Sequence, residues 1–190
     1  EYLFNSYLKS FFENNKNQRI ATVRAGNVIG GGDYSKDRLI PDIYKSIKNK
    51  RKIVLRNPNS VRPWQHVLEP LSGYIILAEK MYKKYNNKIS PNWNFGPNIS
   101  SCKSVKYIAQ KFSKNSNCKI KIIKVKNKNY KSETDLLRLS NLKSKKYLKW
   151  YPKWNLNKTI NKIIEWNNEV NETKKSFDIC SKQIEEYLKD

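Results

Sequence analysis

The stretch "RAGNVIGGGDYSKDRLIP", residues 24–41, sets four glycines within seven positions directly after the β-like run "RIATV". Such a loop either cradles a phosphate or serves as a flexible connection. A dinucleotide fingerprint needs Gly-x-Gly-x-x-Gly between a first strand and its helix, with an acidic residue about 20 positions on. Here Gly26 is followed by three other residues and then by Gly30, Gly31 and Gly32, and the loop runs on through "DYSKD". The spacing is not that of a pyrophosphate loop. Glycines at this density still permit positive φ angles and close approach of a ligand to the backbone.

Outward from this loop, strands and helices alternate. Residues 2–12 place Leu3, Phe4, Tyr7, Leu8, Phe11 and Phe12 at helical spacing, so one apolar face is expected to pack on a neighbour. "RIATVRA" reads as a strand buried on both sides, and "RLIPDIYKSIKNK" as a helix with Pro41 in its first turn. "KIVL" is a short strand, "RNPNS" a turn and "VRPWQHV" a second extended segment. "EPLSGYIILAEKMYKKY" follows as an amphipathic helix, then "NWNF" as a strand closed by Gly96 and Pro97. "SSCKSVKYIAQKFSK" is a helix capped by Ser100 or Ser101, and "CKIKIIKV" alternates as a half-buried strand does. "NLKSKKYLKW", a break at Pro152 and "LNKTINKIIEWNNEV" complete a helical carboxy-terminal region. The pattern predicts an α/β architecture without internal repeats and without a linker long enough to separate independent domains.

With 190 residues, 38% hydrophobic and 29% charged, the chain can bury a real core. No apolar run approaches the roughly 20 residues that span a bilayer, and no segment has the order of a signal peptide. A cytoplasmic protein is expected. Cys102, Cys118 and Cys180 lie at wide spacings without a Cys-x-x-Cys, so they read as reduced, structural thiols, and no metal site is expected. The net charge of +23 comes from lysines spread along the chain among many asparagines, as in "KNKNYKS". That is compositional bias more than a nucleic-acid footprint, although salt-sensitive binding to polyanions fits it. Glu1 offers neither an initiator Met nor a leader, so the chain reads as a fragment with its amino-terminal part missing.

Arg62, between a β-branched residue and Pro63 and next to Trp64, invites two readings. It is a fixed fork for a phosphate or carboxylate, or a surface Arg stacked on the indole. His66, the sole histidine, reads as a structural hydrogen-bonding residue.

"RAGNVIGGGDYSKDRLIPD", "VLRNPNSVRPWQHVLEPLSGYIILAEK", "WNFGP" and "FDICSKQIEEY" stand in an order and spacing that resemble the carboxy-terminal half of the CDP-glucose 4,6-dehydratase family, within the extended short-chain dehydrogenase/reductases. The resemblance covers nearly the whole chain, and no motif matches in "KIKIIKVKNKNYKS". Related dehydratases and epimerases typically carry an acidic residue after the strand Arg, where this chain has Pro63. The resemblance implies the carboxy-terminal part of a Rossmann-type fold. Residues 1–38 would be the last part of the NAD domain, and 39–190 a nucleotide-sugar-binding lobe with returns to that domain and a helical end.

It also implies that Asn27 contacts the substrate diphosphate, that Leu39, Ile40 and Pro41 lie against the base, and that Arg62 pairs with the diphosphate. Asn94 and Glu133 would complete the substrate site. The cofactor implied is NAD, the partner a nucleotide sugar such as CDP-glucose, and the assembly a homo-oligomer in whose interface the first helix packs. The reaction is elimination of water across C5 and C6 after hydride transfer from C4, serving deoxysugar and surface-polysaccharide (O-antigen) biosynthesis. The catalytic Tyr-x-x-x-Lys would lie before Glu1, which leaves the isolated chain inactive, unable to retain NAD and poorly stable. Another epimerase or dehydratase of the family, or a basic polyanion-binding remnant, are the alternatives.

Overall fold

The computed structural model describes residues 2–12, 19–83, 92–116, 119–122, 134–170 and 175–190. Its architecture is mixed α/β, and among the described residues the strands form three small sheets. Strand β1 (Thr22–Ala25) runs parallel to β5 (Asn92–Phe95). One residue later the chain changes sheets. Strand β2 (Asn27–Ile29) lies parallel to β4 (Val61–His66), which pairs antiparallel with β6 (Cys102–Ser104). The pivot is Gly26, where a Cβ would stand 2.4 Å from the Pro63 carbonyl oxygen. Only glycine lets the backbones pass so closely. The third sheet pairs β3 (Ile53–Leu55) with β7 (Ile120–Ile122), again in parallel.

Six helices flank the sheets among the described residues: α1 (Tyr2–Tyr7), α2 (Leu39–Lys48), α3 (Leu68–Lys83), α4 (Val105–Ser116), α5 (Leu156–Glu169) and α6 (Ser176–Lys189). In α2, Asp42 in the first turn and Lys45 and Lys48 in the last complement the helix dipole. The helix closes with Lys50 in the left-handed region at φ 51°, while the amides of Lys50 and Arg51 donate back to the carbonyls of Ile47 and Ser46. Helix α5 begins at Asn155, whose side chain accepts from the Lys158 amide at 2.9 Å. The cap of α4 is Ser104, whose hydroxyl accepts from the Tyr107 amide. Ser100 and Ser101, the expected caps, belong instead to a 3-10 turn (Ile99–Ser101) followed by β6, so the helix starts later than its sequence suggests.

The larger core joins α2, α4 and α5 to the strands through Ile43, Ile53, Ile108, Phe112 and Ile163, each almost fully buried. A second core packs Phe95 edge-on against Trp150, with ring centroids 5.1 Å apart. Beside it Glu69 is wholly buried and accepts from the amides of Trp154 (2.6 Å) and Lys153 (3.1 Å) and from the Tyr187 hydroxyl (2.9 Å). This tripod ties α3 and α6 to the loop before α5. Burial raises the Glu69 pKa, and the three donors oppose that rise.

The amino-terminal end is covered only in part. Of the apolar residues of 2–12, Phe4, Leu8 and Phe12 are half-buried, whereas Leu3 is 82% and Phe11 63% exposed, and no residue of the segment is fully buried. Strand β1 is not covered on both sides either, since Val23 and Arg24 are exposed. The reason is the same for both. Among the described residues β1 has one neighbouring strand, and a two-stranded sheet offers too little surface to bury a strand or a helix face.

Candidate functional site

The site grows from the glycine loop. Strand β2 carries the chain past Trp64, the loop turns back, and α2 begins with its first turn facing the same space. The result is a cleft of about 600 Å³ whose walls include Asn27, Trp64, Arg38, Leu39, Ile40 and Pro41. Its floor is apolar, with Ile29, Ile40 and Trp64 all buried. The Trp64 indole N–H is already committed, donating to the Lys103 carbonyl at 2.8 Å, so the ring presents no free donor to the cleft.

The rim is charged. Asp33 and Asp37 line it; Asp33 accepts from the Ser35 amide, and Asp37 pairs with Arg56 at 3.1 Å in the open. Asp42, just behind, has its pKa raised by burial and by the neighbouring Asp37. Arg38 occupies the N-cap position of α2 without making a capping bond, so no side chain of that residue covers the first-turn amides. A cation beside the positive end of a helix, an amide on β2 and an apolar floor together suit a ligand with one anionic and one flat, weakly polar part.

The structure brings Asn27, Leu39, Ile40 and Pro41 together in this cleft. Arg62 and Asn94 are elsewhere. The Arg62 guanidinium donates to the carbonyls of Val61 (2.9 Å) and Thr134 (2.8 Å), one side-chain step along β4 from Trp64. Both bonds are made through Nη1, so the two carbonyls fix the guanidinium outside this cleft. Asn94 sits on β5 opposite Arg24, with its side-chain oxygen buried and lacking a hydrogen-bond partner. Glu133 lies outside the described residues, as does Cys118. Sequence reasoning missed Arg38, Trp64, Asp33 and Asp37 as wall residues. The signal for Arg38 was its place directly before "LIP", at a helix start.

His66 is buried, accepts from the Leu68 amide through Nδ1 and lies 4.8 Å from the Trp154 ring. Burial, with Lys162 nearby, lowers its pKa to about 4, so it is neutral and structural. The glycines have a resident neighbour: a Cβ on Gly31 would fall 2.2 Å from Cγ of Trp166, and Gly32 adopts φ 76° over the same indole. Among the described residues no cluster of His, Cys, Asp and Glu could hold a metal ion, and no helix is long and apolar enough to cross a membrane.

No protein-family model matches the chain. It is 42% identical over 170 residues to CDP-glucose 4,6-dehydratase of Salmonella typhimurium, a match that covers 89% of this chain and 46% of the enzyme. Among solved structures it resembles UDP-glucose 4-epimerase of Thermotoga maritima, with a TM-score of 0.70, 16% identity and coverage of 88% of this chain and 51% of that one. It also resembles dTDP-glucose 4,6-dehydratase of Bacillus anthracis, solved with NAD, with a TM-score of 0.67, 17% identity and coverage of 88% and 48%. The chain thus spans about half the length of each of these proteins.

Proposed function

We propose that this chain, 42% identical over 89% of its length to a CDP-glucose 4,6-dehydratase and similar in fold to epimerases and dehydratases, belongs with the extended short-chain dehydrogenase/reductases and forms the substrate-binding lobe of an NAD-dependent enzyme converting CDP-glucose to CDP-4-dehydro-6-deoxy-glucose. The observation that carries the reading is the cleft at the start of α2, which sets Asn27 and Arg38 beside the shelf of Leu39, Ile40 and Pro41. The diphosphate lies against the Asn27 amide, the Arg38 guanidinium and the uncapped first turn of α2, where charge-assisted bonds are strongest. The base lies on the shelf, over an apolar floor to which the buried Trp64 contributes.

In such an enzyme NAD supplies the hydride acceptor and donor. The described residues of this chain do not make a home for it. No Gly-x-Gly-x-x-Gly follows a strand, and Gly31 and Gly32 are occupied by an indole. The role of this chain is therefore to bind and orient the nucleotide sugar, with residues 1–38 reading as the border of the cofactor domain and 39–190 as the substrate lobe. The whole enzyme works as a homo-oligomer in the cytoplasm, and its product feeds surface-polysaccharide synthesis.

Isothermal titration of the purified chain with CDP, UDP and dTDP tests the reading. CDP is expected to bind with the greatest affinity and to shift the NMR resonances of Asn27, Leu39 and Ile40. Binding that ignores the base and vanishes with moderate salt would instead make the chain a polyanion binder, a behaviour its charge of +23 permits. The chain by itself is expected neither to turn over CDP-glucose nor to retain NAD, and measurable turnover overturns the division of labour.

A further inference from the structure

We propose that Trp166, which does not line the cleft, is the positioning residue that fixes its glycine wall and so sets the affinity of the cleft for a nucleotide. The proposal rests on the reading of the cleft given above. Trp166 projects from α5, is 3% exposed and packs against the loop. A Cβ on Gly31 would stand 2.2 Å from its Cγ, 2.4 Å from Cδ2 and 2.7 Å from Cβ, and one on Gly32 would stand 3.1 Å from Cζ2 and 3.3 Å from Cη2. The backbone of two consecutive residues thus crosses the indole from its root to its benzo edge. No other residue type fits at Gly31 without moving loop or ring, and Gly32 also has positive φ.

Both ends of the clamped segment border the cleft. Ile29 immediately precedes the loop and Asp33 immediately follows Gly32, and each lines the cavity. A shift of the loop on the indole therefore moves two wall residues at once. The ring is held in turn. Its N–H donates to the Cys180 sulfur at 3.4 Å, and α5 is braced on α6 by Lys182 with Glu165 (3.0 Å) and Glu169 (3.4 Å), and by Lys162 with Glu186 (2.5 Å). The carboxy-terminal helices, remote from the ligand, thereby determine the geometry at which Asn27 and the α2 terminus meet it. Gly31 and Gly32 are small so that an indole can support the loop, while Gly26 clears the Pro63 carbonyl, and on the proposed reading the phosphate is served by the residues around them.

The test is a double-mutant cycle read by CDP affinity. Gly31→Ala in the wild-type background is expected to weaken CDP binding about tenfold, or about 1.4 kcal/mol, because the added methyl lifts the loop off the ring. In a Trp166→Ala background, already weakened, the same glycine change is expected to have no further effect. Should Trp166→Ala fail to fold, Trp166→Phe serves as the second corner, with a smaller ring and a partial rescue of Gly31→Ala. In protein labelled with 5-fluorotryptophan, the Trp166 fluorine resonance, assigned by its loss in Trp166→Phe, is expected to shift on CDP binding. Wild-type binding with Gly31→Ala unchanged overturns this inference alone. Failure of the wild-type chain to bind CDP overturns it together with the functional reading.

Discussion

Asn27 and Arg38 carry the electrostatic side of the cleft, and they differ in what else they do. Asn27 is a strand residue paired with Trp64, so Asn27→Ala keeps the backbone ladder and removes only the amide. It is expected to lower CDP affinity about tenfold, the worth of one hydrogen bond to a charged group, with an unchanged melting temperature. His66 makes a prediction of a different kind. Its folded pKa of about 4 lies below the ordinary 6.5, so between these values the unfolded chain binds more protons than the folded one. The stability it contributes is full above pH 6.5 and is lost as pH falls toward 4, by about 3 kcal/mol in all. Denaturant unfolding at pH 7 and pH 4.5 is expected to show a smaller loss in His66→Gln than in wild type. Glu69, whose pKa is raised, acts with the opposite sign, and comparison with the variant cancels it. At this scale the sequence was readable where chemistry is local. His66, the sole histidine, was read as a structural hydrogen-bonding residue and its Nδ1 accepts from the nearby Leu68 amide, but the place of Arg62 hung on the carbonyl of Thr134, 72 residues away, and no local pattern encodes that contact.

Helix ends show how local signals and tertiary context divide the work. The stop of α2 is a left-handed Lys50 that closes two amide bonds to the preceding turn. An L side chain there costs about 1 kcal/mol relative to glycine, so Lys50→Gly is expected to stabilise the chain by about that amount, measured as a rise in the denaturation midpoint at constant m value. The starts of α2 and α5 and the strands β3 and β5 could be read because each has its own punctuation in the chain: Pro41, the break at Pro152, the turn at "RNPNS" and the Gly96-Pro97 stop. The start of α4 could not. Three serines compete there, and the choice of Ser104 follows from the pairing of Cys102 and Lys103 with β4, a long-range event. In the same way, Leu39 to Pro41 were visible as a segment, whereas their grouping with Trp64 and Asp33 required β2 and β4 to be neighbours.

The whole molecule is well packed around its larger core and open at its amino-terminal end. Tyr2, Leu3, Tyr7 and Phe11 are exposed, and strand β1 has a single partner among the described residues. An apolar helix face and an open strand edge are each prone to associate. Light scattering and sedimentation are expected to show concentration-dependent self-association of the chain, and the pair Leu3→Ser and Phe11→Ser is expected to reduce it without altering CDP binding. A monomer at high concentration, indifferent to those changes, would contradict the claim. The helical pattern of residues 2–12 was legible in the sequence as a face in need of a neighbour, whereas which of its residues find partial cover, Phe4, Leu8 and Phe12, depends on tertiary packing that periodicity does not encode.

The floor of the cleft bears on more than binding. The Trp64 indole gives its single N–H to Lys103 and is almost wholly buried, so that ring adds apolar surface to the floor and no free donor. Discrimination among bases then falls to the exposed rim, where Asp33 and Asp37 stand outside the packed core. On the proposed reading, ligand preference of the cleft can therefore be altered through a few solvent-facing loop positions, while the interior that keeps the fold is left untouched.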